Sequence, residues 1–182
     1  AALRNDGSVL TWGSSGHGGD SSGIDFDGPG NNLTISQLFS TYYSFAALRS
    51  DGSVVTWGDG RYGGNSSGID FDGPANNLKV TQVFSTPYAF AALRDDGSVV
   101  TWGSTTSGGY STGVDFDGPA NNLTVSQIFS TYYAFAALRS DGSVLTWGDA
   151  TTGGNSSGVD FDGPTNNLKV TQITSTPYAF AA

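Results

Sequence analysis

The sequence contains no cysteine and no methionine, and it has one histidine, His17. Without cysteine the chain can form neither a disulfide nor a zinc–thiolate site, and it lacks a thiolate nucleophile. One histidine leaves a Ser-His-Asp or Cys-His catalytic centre with almost nothing to draw on. These absences disfavour the common nucleophilic enzymes, and we predict that the protein is not an enzyme.

Glutamate is also absent, so all 16 acidic residues are aspartates, and with only 7 Lys and Arg the net charge is −9. Phosphate backbones attract basic surfaces, so this balance disfavours a nucleic-acid partner. No apolar run approaches the roughly 18 residues that cross a bilayer. With abundant Ser, Thr, Asn and Gly, the composition predicts a secreted or cell-surface protein that does not span a membrane.

A period of 45 residues organises the chain, without insertion or deletion. We predict one repeat domain, 1–182, made of four units at about 3–47, 48–92, 93–137 and 138–182. A unit this short buries too little surface to be stable alone, so the units must pack on one another. Because both ends fall inside the same strand-like segment, we expect these residues to belong to a longer array. The tryptophans that mark the period are Trp12, Trp57, Trp102 and Trp147.

Each unit has the pattern of an antiparallel hairpin. In the second unit, two apolar runs flank Asp51-Gly52, and glycine supplies the positive φ that such turns need. The alternating segment 78–84 predicts a further strand with Leu78, Val80 and Gln82 on one face, and segment 67–71 is a candidate fourth strand. The hairpin strands are apolar on both faces, which indicates burial on both sides. We therefore predict an all-β protein of tandem antiparallel sheets.

Segment 45–58 reads FAALRSDGSVVTWG and resembles an RCC1-type repeat, with its small-small-Leu, Asp-Gly, Val and Trp-Gly series. The match recurs in all four units, and it is most similar to tandem arrays in large bacterial secreted proteins. The resemblance implies antiparallel β-propeller blades. An open β-solenoid-like stack is the alternative arrangement of such units.

Paired aspartates within each Asp-x-Asp-Gly segment are the candidate metal ligands. Two carboxylates two positions apart, beside a glycine turn and asparagines, offer the hard oxygen ligands that suit calcium. The alternative is an Asp-Gly-Pro turn in which the aspartate caps its own backbone. The pairs are Asp25 with Asp27, Asp70 with Asp72, Asp115 with Asp117, and Asp160 with Asp162.

Catalysis finds little support in these pairs or in the histidine. Glycosidase carboxylates flank one bond in one cleft, whereas these pairs occur four times. The positions equivalent to His17 are Tyr62, Ser107 and Thr152, and such variation predicts an exposed loop.

The aromatic residues form two groups. The four tryptophans end an apolar strand and are predicted to pack between units. The second group lies at the turn before each hairpin, where packing at the rim and stacking on a sugar or a partner are both open. Its members are Tyr42, Tyr43, Tyr88, Tyr132, Tyr133 and Tyr178.

Together these patterns predict a non-enzymatic extracellular structural repeat protein, a cell-surface or filament-forming scaffold or adhesin. Its partners would be further repeats of its own kind, since head-to-tail contacts either close into a ring or continue as a fibre. The alternative is a propeller that binds a glycan or protein, with calcium as a possible aid and no other cofactor.

Overall fold

The computed structural model describes residues 1–73, 77–117, 122–163 and 167–182. Its strands form three full sheets of three strands each and a two-stranded partial sheet near each end. The strands are β1 Ala2–Leu3, β2 Val9–Leu10, β3 Ile35–Ser40, β4 Ser44–Arg49, β5 Val54–Gly58, β6 Val80–Ser85, β7 Ala89–Arg94, β8 Val99–Gly103, β9 Val125–Ser130, β10 Ala134–Arg139, β11 Val144–Gly148, β12 Thr174–Ser175 and β13 Phe180–Ala181. This architecture confirms the all-β prediction.

All pairing is antiparallel, in the order β3-β4-β5, β6-β7-β8 and β9-β10-β11 within the full sheets. The partial sheets are β1-β2 and β12-β13. A single helical turn follows the second strand of each hairpin, at Ser15–His17, Gly60–Tyr62, Thr105–Ser107 and Ala150–Thr152. Within the described residues no helix is both long and apolar enough to cross a bilayer.

The Asp-Gly turns form the predicted hairpins. In the first full sheet Leu48 pairs with Val54, and the loop between the strands places Gly52 at φ 90°. The Ser53 amide and hydroxyl both donate to the Asp51 carboxylate, at 2.9 and 2.7 Å. The aspartate therefore fixes the turn locally, and the glycine supplies its left-handed backbone.

The first strand of each full sheet differs from the prediction. A register shift between Val80 and Gln82 leaves Thr81 out of the pairing, so Val80 and Val83 face the core while Gln82 is exposed. The predicted alternation of Leu78, Val80 and Gln82 on one face is therefore wrong. A β-bulge reverses the face of every later residue, which a period of two cannot anticipate.

The candidate fourth strand at 67–71 is also wrong, because this segment forms no ladder. The Ile69 amide instead closes a turn by donating to the Ser66 carbonyl at 3.0 Å. Ile69 and Phe71 pack against the buried cluster that contains Trp102. Their apolar character reflects this packing and not strand pairing.

Neighbouring sheets pack face to face through the middle strand of each three-stranded sheet. On β4, Ala46 and Leu48 join a cluster with Phe90 and Trp102 of the second full sheet. Ala47, on the other face of β4, belongs to a separate cluster. The strand is thus buried on both faces, as its sequence predicted. The fully buried alanines keep adjacent sheets close.

Candidate functional site: the tryptophan sockets

Each full sheet is fastened to the loop before it by a tryptophan. Trp57, Trp102 and Trp147 are 3%, 2% and 4% exposed. Their indole N–H groups donate to the carbonyls of glycines 39 residues earlier, at 3.0, 3.1 and 3.1 Å. The acceptors are Gly18, Gly63 and Gly108, each at the end of a helical turn. We call each glycine, with the aromatic walls around it, a tryptophan socket.

Aromatic rings line the socket on two sides. The ring of Trp102 stacks on Phe90, with centroids 5.1 Å apart and planes at 22°, and it meets Phe71 edge-on at 5.1 Å. Trp57 and Trp147 have the same two contacts with their own phenylalanines. Stacked and edge-to-face pairs add to the energy of burial, so the same favourable contact is made at every seam.

Only glycine fits the acceptor position. Gly63 has φ +103°, and a Cβ atom there would lie 2.6 Å from the Phe90 ring. The other sockets keep the same arrangement, including Gly153 against Phe180 at 2.6 Å. The signal for these glycines is the Gly-Gly pair that recurs in all four units, which the sequence analysis did not connect to the tryptophans.

The tryptophan of the first unit and the corresponding glycine of the fourth unit have no counterpart 39 residues away in this sequence. Trp12, expected to pack between units like its counterparts, is 66% exposed. Gly153 has the helical turn and the left-handed φ of 101° found in the occupied sockets. It lines a cavity of about 390 Å³, whose other walls include Val159, Phe161 and Phe180.

The structure places the aspartate pairs in turns. The Asp25 carboxylate accepts the Gly28 amide at 2.8 Å, and that of Asp160 accepts the Gly163 amide at 2.8 Å. Asp72 lines a cleft of about 390 Å³ with Asp51 and Lys79. The described residues contain no group of three or more side chains suited to a metal. Calcium binding by these pairs stays a prediction. The structure shows a different role for Asp25 and Asp160, whose carboxylates accept hydrogen bonds within their turns.

Arginines tie the same loops to the hairpins, a contact that the sequence analysis missed. The Arg94 Nε donates to the Phe71 carbonyl at 3.0 Å, and its Nη2 donates to the Asp70 carbonyl. Arg49 makes the corresponding bonds to the loop one unit earlier. These guanidinium groups supply hydrogen-bond donors to the loop carbonyls.

Seven of the eight tyrosines converge on one patch, which we call the tyrosine cluster. It consists of Tyr42, Tyr43, Tyr62, Tyr88, Tyr132, Tyr133 and Tyr178. Tyr88 and Tyr133 stack with centroids 5.4 Å apart and planes at 8°. A hydrogen bond with the Tyr132 phenol raises the pKa of Tyr42, and one with Tyr133 raises that of Tyr88. Rim packing and exposure coexist here, since Tyr42 is 58% and Tyr178 60% exposed.

The loop after each tryptophan is not uniformly exposed. His17 lies on the surface as predicted, with its ring 5.1 Å from that of Tyr43. Ser107 and Thr152, at equivalent positions, are only 3% and 7% exposed, so the prediction is wrong for them. The small side chains of Ser107 and Thr152 are buried. The larger rings of His17 and Tyr62 instead contact Tyr43 of the tyrosine cluster. Variation here therefore reflects side-chain size as well as solvent contact.

Among the described residues one ion pair is formed, between Arg61 and Asp59 at 2.7 Å. Hydrogen bonds from the Arg61 side chain and amide lower the pKa of Asp59 from 3.8 to about 2. Similar local donors, the hydroxyl and amide of Ser143, lower the pKa of Asp141. The pKa of Asp59 is thus lowered mainly by its basic partner, and that of Asp141 by contacts within its own turn.

No family model and no curated protein matches this sequence. Solved structures of similar fold are human WBSCR16 (TM-score 0.52, 22% identity, 80% of this chain and 44% of that one), Saccharomyces cerevisiae Prp20p (0.51, 19%, 78% and 41%) and the ectodomain of the Physcomitrella patens receptor kinase CR4 (0.50, 20%, 80% and 37%).

These similarities define the class of the fold. Another similar structure, with TM-score 0.52, is that of yeast RCC1 (Prp20) bound to Kap60. The chain is built from RCC1-like β-propeller repeats, and its three-stranded units are propeller-type blades. It spans less than half the length of each of these proteins, at most 44%. The blade arrangement was predicted from the RCC1-like hairpin, in preference to the solenoid-like stack.

Proposed function

We propose that this chain is a non-enzymatic extracellular structural protein, a scaffold of RCC1-like repeats displayed on a cell surface or assembled into a filament. One observation carries the proposal: the same tryptophan socket joins every full sheet to the loop before it. A contact repeated at each seam holds every pair of neighbouring units together in the same way. Stability then grows with the number of seams, as in other repeat proteins.

The polar residues support the same function, because the structure already uses them. Asp51 and Asp141 fix hairpin turns, and Asp25 and Asp160 cap their own loops. Arg94 holds loop carbonyls. A catalytic centre needs a unique constellation in one copy, whereas these contacts recur from unit to unit.

Extension of the full chain by a fifth unit tests the scaffold. Residues 138–182 are repeated after Ala182, so that the tryptophan of the added unit can enter the Gly153 socket. We expect a higher denaturation midpoint and a steeper transition. The matched control carries alanine at the added tryptophan and should gain much less. A midpoint that stays unchanged on extension would refute the proposal.

Extracellular placement has its own test in cells of the source organism. An antibody against the repeat, applied to intact cells and to the culture medium, should detect the protein without permeabilisation. Detection only after lysis would contradict a surface or secreted scaffold. Fibres or arrays that contain the repeat would be visible by immunogold labelling.

A binding module is the second candidate, favoured by the tyrosine cluster. The exposed rings of Tyr42 and Tyr178 could stack on a sugar or a protein surface. A glycan array and a pull-down should then give signals that Tyr42→Ala and Tyr178→Ala weaken. Tyr110→Ala is the matched control, since Tyr110 is 60% exposed but outside the cluster. Equal signals from all variants would exclude the cluster as the site.

A further inference from the structure

Tyrosine rings from adjacent units meet at each seam between the blades. Tyr88 and Tyr133 stack between units two and three, with centroids 5.4 Å apart and planes at 8°. Tyr43 stacks on Tyr88 between units one and two, with centroids 6.1 Å apart. Tyr132 meets Tyr178 between units three and four, at 5.4 Å. Tyr88 and Tyr133 have a unit on either side, so both rings are seen in the surroundings that an interior blade provides.

Buried threonines fix the backbone that carries the Tyr88–Tyr133 pair. The Thr86 hydroxyl oxygen accepts the Tyr88 amide at 3.2 Å, and the hydroxyl donates to the Ser107 carbonyl at 3.3 Å. Thr131 makes the equivalent bonds for Tyr133, at 3.4 and 3.1 Å. The threonines are 2% and 4% exposed, whereas both tyrosines are partly exposed. The backbone beneath the stacked rings is therefore held in place, while solvent reaches part of each tyrosine.

The composition leaves few other groups for a one-electron oxidant to attack. Cysteine and methionine, the side chains that most readily take up oxidising equivalents, are both absent. Three of the four tryptophans are at most 4% exposed, and their indole N–H groups donate inside sockets. Oxidation from solvent therefore falls mainly on the tyrosines.

We propose that Tyr88 and Tyr133 are a site of oxidative coupling, at which hydrogen peroxide and a peroxidase join the two rings in a dityrosine cross-link. Each phenol gives up one electron and its proton, and the two phenoxyl radicals form a bond between ring carbons ortho to the oxygens. The hydrogens on those two carbons then move to the oxygens as protons, which restores both phenols. The two electrons and two protons that were removed reduce the peroxide to two waters.

The stacked geometry favours this bond over coupling between separate chains, because it holds the two radicals side by side within one molecule. The rings must turn out of parallel as the bond forms, and partly exposed side chains change rotamer rapidly. Tyr88 and Tyr133 are 45 residues apart, so the bond closes a loop one unit long. Such a cross-link constrains the unfolded chain and stabilises the folded one. The chemistry needs only the contact, but its use in fastening blades rests on the proposed scaffold function.

Treatment of the dilute full chain with a haem peroxidase and hydrogen peroxide tests the site. Trypsin cleaves after lysine and arginine, which places Tyr88 in peptide 80–94 and Tyr133 in peptide 95–139. We expect mass spectrometry to find these two peptides joined, two hydrogen atoms lighter than their sum, with the bond located at the two tyrosines by fragmentation. The treated chain should remain a monomer and should melt at a higher temperature than the untreated chain.

Phenylalanine variants are the matched controls, because they keep the ring and remove the phenol. Tyr88→Phe and Tyr133→Phe should each lower the yield of the joined peptides at least about tenfold, since the paired radical is lost. Tyr110→Phe alters a tyrosine outside the cluster and should keep the wild-type yield. The wild type treated in urea should also give a yield several-fold lower, because unfolding separates the stacked rings.

Peptides 80–94 and 95–139 that stay separate in the treated folded chain would overturn the proposal. Equal yields from the folded and the unfolded chain, or a full yield from Tyr133→Phe, would overturn it as well. The five-unit extension tests the scaffold independently, because it needs no oxidant. A failed coupling beside a raised denaturation midpoint of the extended chain therefore removes the cross-link and leaves the scaffold function standing.

Discussion

Replacement of Trp102 by alanine removes one socket contact from the middle of the array. The side chain is 2% exposed, stacks on Phe90, meets Phe71 edge-on and donates its N–H to Gly63. The substitution leaves a cavity between two sheets and a buried carbonyl without its donor. Because Trp102 also pairs with Phe90 across β7 and β8, the substitution removes a contact within this hairpin as well as at the seam.

The expected cost follows from burial and from the lost hydrogen bond. Truncation of a buried tryptophan typically costs about 3–5 kcal/mol. The unpaired Gly63 carbonyl accounts for about 1–3 kcal/mol of such a loss. For a chain of this size, the full loss corresponds to a fall of about 10 °C in the melting temperature.

Urea and thermal denaturation, followed by circular dichroism, measure the effect. Trp12→Ala is the matched control, since Trp12 is 66% exposed and its loss should change the stability of the dilute protein by less than about 0.5 kcal/mol. Equal stability of the Trp102→Ala and Trp12→Ala variants would refute the socket as the contact that holds adjacent blades together.

Three further predictions concern other parts of the chain. Gly63→Ala should cost at least about 1–2 kcal/mol in a denaturation experiment, since Gly63 has φ +103°, whereas Gly68→Ala meets no atom within 4 Å and should be nearly neutral. Because the pKa of Asp59 is lowered in the folded state, its stabilising effect should be complete above pH about 4 and lost as the pH falls through about 2. An NMR titration of this carboxyl should show that midpoint, and Arg61→Met should raise it; an unchanged midpoint would contradict the assigned cause. Calcium binding by the aspartate pairs predicts a melting temperature that is higher with calcium than with chelator, and equal values would assign the pairs to turn formation alone.

Much of the fold was predictable because its rules are local. The Asp51-Gly52 turn and the flanking apolar strands specify the hairpin directly. The burial of β4 on both faces was also predictable, since residues on both faces are apolar. The bulge at Thr81 was not, because the sequence there is compatible with either register.

The sequence predicted one of the two partners in each socket contact, the tryptophan, but not the glycine that accepts its hydrogen bond. The period identified the tryptophans, whose size and position before a glycine indicated burial. Their acceptors, such as Gly63, lie 39 residues away in a polar loop, and the recurring Gly-Gly pair does not by itself indicate which side chain it contacts. Convergence of Tyr42 and Tyr132 depends on how successive blades are rotated, which no local pattern encodes.

Hydrogen exchange at the four indole N–H groups, resolved by NMR, tests the central claim most directly. In dilute solution we predict slow exchange for Trp57, Trp102 and Trp147, which donate inside sockets, and fast exchange for Trp12. Similarly fast exchange of all four indoles would contradict the account.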